Sequence, residues 1–252
     1  MRILLSYFSR TGSTERLAQA IGAELQSRGH TLEWEVIKPA VYYSWFHEVS
    51  RDFPRYPSIF TSLASSSWRR HHLETYYQVE EDIQPLRFPD VSGFDLICIG
   101  GPKWAQISYP MARYLQTVRG IRGKRVGSFF TFGGPPLPTF EVELYEKPIA
   151  RLLGRMGAEV VASLGLSSAY HEASVMPVFR LVSRLRFGRP IKDFTIGSEY
   201  ANSGIQKFCN DLLEARSAKA DLSRALPSAP ASGQTEPITS YNKQEKSHAE
   251  IL

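Results

Sequence analysis

The sequence predicts an α/β fold in which a parallel sheet is covered by helices on both faces. Two observations predict it. Short runs rich in Ile, Leu, Val and Phe alternate with stretches whose apolar residues recur every 3.6 positions. The run Phe94-Asp95-Leu96-Ile97-Cys98-Ile99-Gly100 is also too apolar to leave one face wet, as expected of a strand buried between two helical layers. Strand, helix, strand in that order implies right-handed crossovers.

The elements follow in chain order. Residues 2–8 read as a buried first strand that stops at Ser9. After a polar loop, Leu17, Ala18, Ile21 and Leu25 mark an amphipathic helix, and Gly29 supplies its left-handed stop. Residues 32–37 alternate as a second strand before Pro39, and 94–100 form the third. Ser108 is placed to cap the next helix, Pro110 suits its first turn, and Met111, Tyr114, Leu115 and Val118 give its apolar stripe. A fourth strand over 125–132, a helix over 139–156, a fifth strand over 158–166 and a last helix from 203 to about 216 complete the expectation.

Two segments exceed what such crossovers need. Residues 38–93 separate the second and third strands, and between Tyr42 and Tyr77 they hold ten aromatics, Trp45, Phe60 and Trp68 among them. This insertion reads as a lid or wall for a flat substrate, as a dimer or partner interface, or as a satellite core over one face. Residues 167–200 form the other insertion, and its basic part, 172–194, includes an amphipathic stretch over 175–187 with Arg180, Arg184 and Arg186 among Phe179, Leu181, Val182 and Leu185. That stretch suits an anionic membrane surface, an acidic protein partner, or a solvated helix packed on the body. The expected domain is 1–217, with residues 218–252 as a disordered tail, since that stretch lacks periodicity and is rich in Ala, Ser, Pro, Gln and Lys.

Composition narrows the function classes. At 252 residues, 42% hydrophobic and 22% charged, the chain resembles an ordinary globular protein, and no apolar run approaches the roughly 18 residues of a membrane span. The start lacks the features of a secretory signal, so a cytoplasmic location is expected, with peripheral membrane contact as an addition. A net charge of +5 favours acidic partners mildly and says nothing of fold. Cys98 and Cys209 have no CxxC neighbour and read as core residues. His71, His72 and His171 lack metal spacing, so no metal is expected. No recognition motif supports a nucleic-acid role.

The loop Ser9-Arg10-Thr11-Gly12-Ser13-Thr14 lies between the first strand and the first helix. Unpaired N–H groups and the helix dipole converge there, and short hydroxyls with a glycine let a phosphate approach the backbone. The same residue types also cap helices and make turns, so the loop alone supports both readings. The P-loop, GxGxxG, HExxH and GxSxG patterns are absent.

Three loops together resemble the flavodoxin-like FMN proteins. Residues 9–14 match the family's S-x-T-G-x-T phosphate loop. Ile99-Gly100-Gly101-Pro102-Lys103-Trp104, followed by Tyr109-Pro110-Met111, is similar to its G-x-P-x-W loop after the third strand, and Thr131-Phe132-Gly133-Gly134 to the glycine loop after the fourth. The resemblance implies a five-stranded parallel sheet in the order 2-1-3-4-5 with helices on both faces, and a crevice where the ends of strands one, three and four meet. It further implies that Ser9, Arg10, Thr11, Gly12, Ser13 and Thr14 hold the FMN phosphate, that Pro102, Lys103, Trp104, Ala105, Phe132, Gly133 and Gly134 border the isoalloxazine, and that Trp104 stacks on or edges the ring.

The expected function is then FMN-dependent electron transfer from a nicotinamide or protein donor to a quinone-like or aromatic acceptor, as in NAD(P)H:quinone reductases. The alternative is a non-catalytic flavodoxin serving one redox partner. A homodimer and a contact to an anionic membrane or acidic protein are further expectations. The chain departs from electron-carrier flavodoxins in being longer and basic, and in its aromatic insertion.

Overall fold

In the computed structural model, residues 1–43, 65–67, 81–104, 106–169 and 176–225 are described. Five parallel strands, β1 (Arg2–Tyr7), β2 (Thr31–Val36), β3 (Leu96–Pro102), β4 (Arg125–Phe132) and β5 (Glu159–Ser167), lie in the order β2-β1-β3-β4-β5. The fold is flavodoxin-like.

Registers such as Leu5 with Cys98, Ile99 with Ser128 and Phe129 with Leu164 bring the carboxyl ends of β1, β3 and β4 to one edge. Between β4 and β5 the register shifts at Val126 and Gly127, which adds twist where the last helix crosses.

Side chains alternate across the sheet and build two cores. On one face Ile3, Leu5, Cys98, Phe129 and Leu164 meet α1 (Ser13–Ser27) and the last helix, α5 (Glu199–Ala225). On the other, Leu4, Ile97, Ile99, Val126 and Phe130 meet α2 (Tyr109–Thr117) and α3 (Leu144–Arg155). Leu17, Ala18, Ile21 and Leu25 are the buried stripe of α1, and Gly29 ends it at a φ of 80°. Both cysteines are buried and free, and burial pushes the Cys209 thiol up to about 12, far from a reactive thiolate.

Three expectations need correction. The Ser108 hydroxyl does not cap α2: it is buried with no partner among the described residues and turned towards Gly101, while its carbonyl accepts the Ala112 N–H. The helix expected over 139–156 opens instead as a π-helical turn, Pro138–Glu143, before α3. Finally, α5 starts before residue 203 and runs to Ala225, so 218–225 is helical rather than disordered tail; Glu199 in its first turn faces the helix dipole favourably. The remainder, 226–252, lies outside the described residues.

The insertion after β2 leaves and returns as a pair. Pro39 bridges Ile83 antiparallel, Ala40 N–H donates to the Asp82 carbonyl at 2.7 Å, and Gln84 N–H to that of Lys38 at 2.8 Å. Ile83, Leu86 and Phe88 then pack on the second core as the chain returns to β3. Of the ten aromatics only Tyr42 and Tyr43 are described, and both are exposed; the other eight, with His71, His72 and His171, lie outside.

The basic stretch of the second insertion forms α4 (Met176–Phe187), which buries Met176 and Ser183 and exposes Val178, Leu181 and Leu185. Among the described residues no helix is long and apolar enough to cross a membrane.

Candidate cofactor site at the carboxyl edge of the sheet

Loop 9–14 begins where β1 ends, at Tyr7 and Phe8, both buried. Gly12 takes a φ of 81°, open only to residues that tolerate the left-handed region, and nothing lies within 4 Å of where its Cβ would stand. That clear space is where an approaching ligand would meet backbone. Gly12 is the N-cap of α1, and no side chain caps the first turn, so the leading N–H groups point outward with the positive end of the helix dipole. The Ser9 hydroxyl is buried with no partner among the described residues. An orphaned buried hydroxyl beside an uncapped helix start is the donor set that a phosphate would satisfy.

The other loop residues take different parts. Thr11 is exposed, whereas Thr14 is 1% exposed and its hydroxyl bonds that of Thr131 in β4 at 2.9 Å. Thr14 therefore fixes the loop to the sheet, a role the sequence did not single out. Arg10 Nη2 donates to the Tyr43 carbonyl at 3.5 Å, which sets the loop beside the stem of the aromatic insertion.

The loop after β3 is joined to β4 by the Lys103 N–H, which donates to the Thr131 carbonyl at 2.7 Å. Trp104 is half-buried and packs edge-on against Phe8, with centroids 6.0 Å apart, and against Tyr109 at 5.2 Å. Its ring is thus already held by protein neighbours at the rim of the edge. Ala105 lies outside the described residues.

Phe132 is buried at the end of β4, and Gly133 and Gly134 follow it. A Cβ on Gly134 would stand 2.7 Å from Glu141 Oε1 and 3.1 Å from the Phe179 ring, so only glycine admits both neighbours. The structure therefore brings loops 9–14, 102–104 and 132–134 to one edge and adds two residues the sequence reasoning missed. One is Phe179 of α4; its amphipathic setting was legible, its target was not. The other is Glu141, 3% exposed, whose carboxylate lies 3.1 Å from Lys103 Nζ with the lysine side chain 7% exposed. Lys103 Nζ also sits 4.9 Å from the centre of the Phe140 ring. A buried charge pair across two loops has no local sequence signature.

Beneath the edge, Tyr7 stacks edge-on against Trp34 and donates to Glu15 at 3.5 Å. Burial, reinforced by that carboxylate, pushes its phenol up to about 12, so it stays protonated at neutral pH. Among the described residues no cluster of three metal-binding side chains occurs.

No family model matches the chain, and no curated protein does. Several solved structures are similar in fold. Oxidised flavodoxin 2 from Bacillus cereus is 14% identical with a TM-score of 0.46, covering 85% of this chain and 99% of its own. A flavoprotein in complex with FMN from Lactobacillus acidophilus is 18% identical with a TM-score of 0.42, covering 71% and 97%. Rubredoxin oxygen:oxidoreductase from Desulfovibrio gigas is 15% identical with a TM-score of 0.46, covering 88% of this chain and 37% of its own. At these levels the fold rests on the chain's own sheet order and register.

Proposed function

We propose that this chain is an FMN-dependent oxidoreductase that takes electrons from a reduced nicotinamide or a protein donor and passes them to a quinone-like or aromatic acceptor. The observation that carries the cofactor is the buried Ser9 hydroxyl, without a partner among the described residues, beside the uncapped start of α1. FMN supplies the redox chemistry when bound, since none of the twenty side chains offers a comparable electron store.

The residues present suit that group. Ser9 and the leading N–H groups of α1 would hold its phosphate, with Gly12 giving backbone access. Loops 102–104 and 132–134 would border the ring, and Trp104, braced by Phe8 and Tyr109, would fix one margin. The Thr14 to Thr131 bond keeps phosphate loop and ring loop in register.

A carrier that serves a protein partner is the second reading, and the exposed arginines 180, 184 and 186 of α4 beside the site favour it, since they suit an acidic surface.

The first measurement is the visible spectrum of the purified chain, with release and chromatography of bound flavin, followed by anaerobic NADH or NADPH. FMN bleached by a nicotinamide and restored by a quinone is expected of the reductase. FMN untouched by both nicotinamides selects the carrier, and a chain that stays colourless after reconstitution rejects FMN altogether. Thr11→Glu places a carboxylate against the phosphate from an exposed position, so FMN retention should fall by more than tenfold with the melting temperature of the flavin-free chain unchanged. Undiminished retention would reject loop 9–14 as the phosphate site.

A further inference from the structure

A hollow of about 900 Å³ opens at the carboxyl end of β5, bounded by the first turns of α1, by α4 and by the turn Ile191–Phe194. Its basic lining comes from three elements: Arg16 from α1, Arg180 and Arg184 one turn apart on α4, and Lys192. Among the described residues no carboxylate lines it. Arg16 Nη2 donates to the Ser13 hydroxyl at 3.4 Å, and the described residues give Arg180, Arg184 and Lys192 no acidic partner. Other described cations do have acidic partners, as in Arg28 with Glu24, Arg113 with Asp82 and Lys147 with Glu143. Like charges four residues apart on a helix are unfavourable, so the Arg180 and Arg184 pair is a cost to the empty chain that an anion would remove.

The hollow also has a built floor. Ser167 is fully buried and its hydroxyl accepts the Ala169 N–H at 3.2 Å, which leaves its proton free to donate. Ser167 and Thr195 are bridged as a short parallel extension of the sheet, which fixes the floor relative to Lys192. Apart from Ser168, whose hydroxyl donates to the Phe132 carbonyl at 3.0 Å, the rest of the lining is aliphatic, and the volume lies in the range of small-molecule sites. Guanidinium forks match phosphate oxygens in pairs, and several cations in one hollow require more than one negative charge.

We propose that this groove binds a phosphate-bearing small molecule carrying at least two negative charges, of nucleotide size, at a site separate from loop 9–14. The inference does not depend on FMN, because none of residues 9–14 lines the groove.

The test is calorimetric titration of the full chain at low salt with inorganic pyrophosphate and with adenosine 5′-diphosphate, both with and without saturating FMN. Binding that persists with FMN present is expected, and Arg180→Gln/Arg184→Gln should weaken it by more than tenfold. The control Arg186→Gln/Arg189→Gln removes the same charge from neighbouring positions that do not line the groove, and should weaken it less than threefold. Thr11→Glu should leave groove binding unchanged, so failure of the FMN reading and failure of this one are distinguishable. Equal loss in both double variants would reduce the effect to net charge and overturn the site. Binding abolished by FMN would place the anion on loop 9–14 and overturn it too. A phosphate supplied only by lipid is the remaining source: binding to phosphatidylglycerol vesicles, with none to either soluble probe, would overturn the small-molecule groove in favour of a membrane contact.

Discussion

The Glu141 carboxylate faces the Lys103 ammonium at 3.1 Å with both side chains almost wholly withdrawn from water. Taking both charges out of solvent costs energy, and their attraction offsets it only while both remain. Glu141→Gln keeps the shape but leaves the ammonium buried without its counter-charge, so it should destabilise the chain by about 3 kcal/mol. The double variant Lys103→Met/Glu141→Leu removes both charges together and should fall within about 1 kcal/mol of the parent. Urea unfolding of the three proteins decides. A single variant costing no more than the double would mean that the pair is too hydrated to matter. The pair spans the loop after β3 and the turn after β4, so its loss should also loosen the spacing of the proposed ring site. A weaker FMN affinity in Glu141→Gln, with affinity kept in the double variant, would report that spacing rather than the charge itself.

Elements, by contrast, are held by close approach. Gly127 sits at the register shift of β4 and lets α5 come close: a Cβ there would stand 2.6 Å from Phe208 Cζ and 3.1 Å from Leu212 Cδ1. Phe208 is 1% exposed and cannot swing into solvent. Gly127→Ala should therefore overpack the interface and cost about 1–3 kcal/mol, and Phe208→Leu in the same chain should restore part of it. If Gly127→Ala unfolds at the parent's urea midpoint, α5 is less firmly seated than the contacts imply. This was the legible scale. The strands carry their signal in local apolar runs, and their observed ends fall within two residues of the expected ones, as with 94–100 against Leu96–Pro102. Loops 9–14, 102–104 and 132–134 were legible because each has a local pattern. What the sequence left hidden is non-local. The Ser108 hydroxyl turns to Gly101 on another element, Phe179 lies against Gly134 across an insertion, and Arg16 lines one hollow with Arg180 and Arg184 from the far end of the chain. The length of α5 was missed for another reason: nothing between Arg216 and Ala225 breaks a helix, and the polar composition alone suggested disorder.

For the whole molecule, the described ends of the aromatic insertion lie side by side. Its stem closes through the Ala40 and Gln84 N–H bonds, and Arg113 pairs with Asp82 at 2.8 Å to fix the returning segment to α2. The chain therefore enters and leaves residues 44–80 beside itself, and a short linker can replace them without stretching the fold. Excising 44–80 and joining 43 to 81 through a short Gly/Ser turn should leave the melting temperature within about 3 °C, since the sheet and its helices bury two extensive cores among the described residues. FMN retention should also survive, because the phosphate loop touches the stem through Arg10 and the Tyr43 carbonyl, and both remain. Turnover discriminates between the roles open to the insertion. As a wall for a flat acceptor it should be needed for quinone reduction, so kcat/KM for the quinone should fall by more than tenfold while reduction by the nicotinamide is kept. Retained quinone turnover together with a change in sedimentation would make it an association surface instead. A loss of soluble, coloured protein would show that the eight excised aromatics contribute to the folded body itself, and that the cavity-lining and interface readings are both wrong.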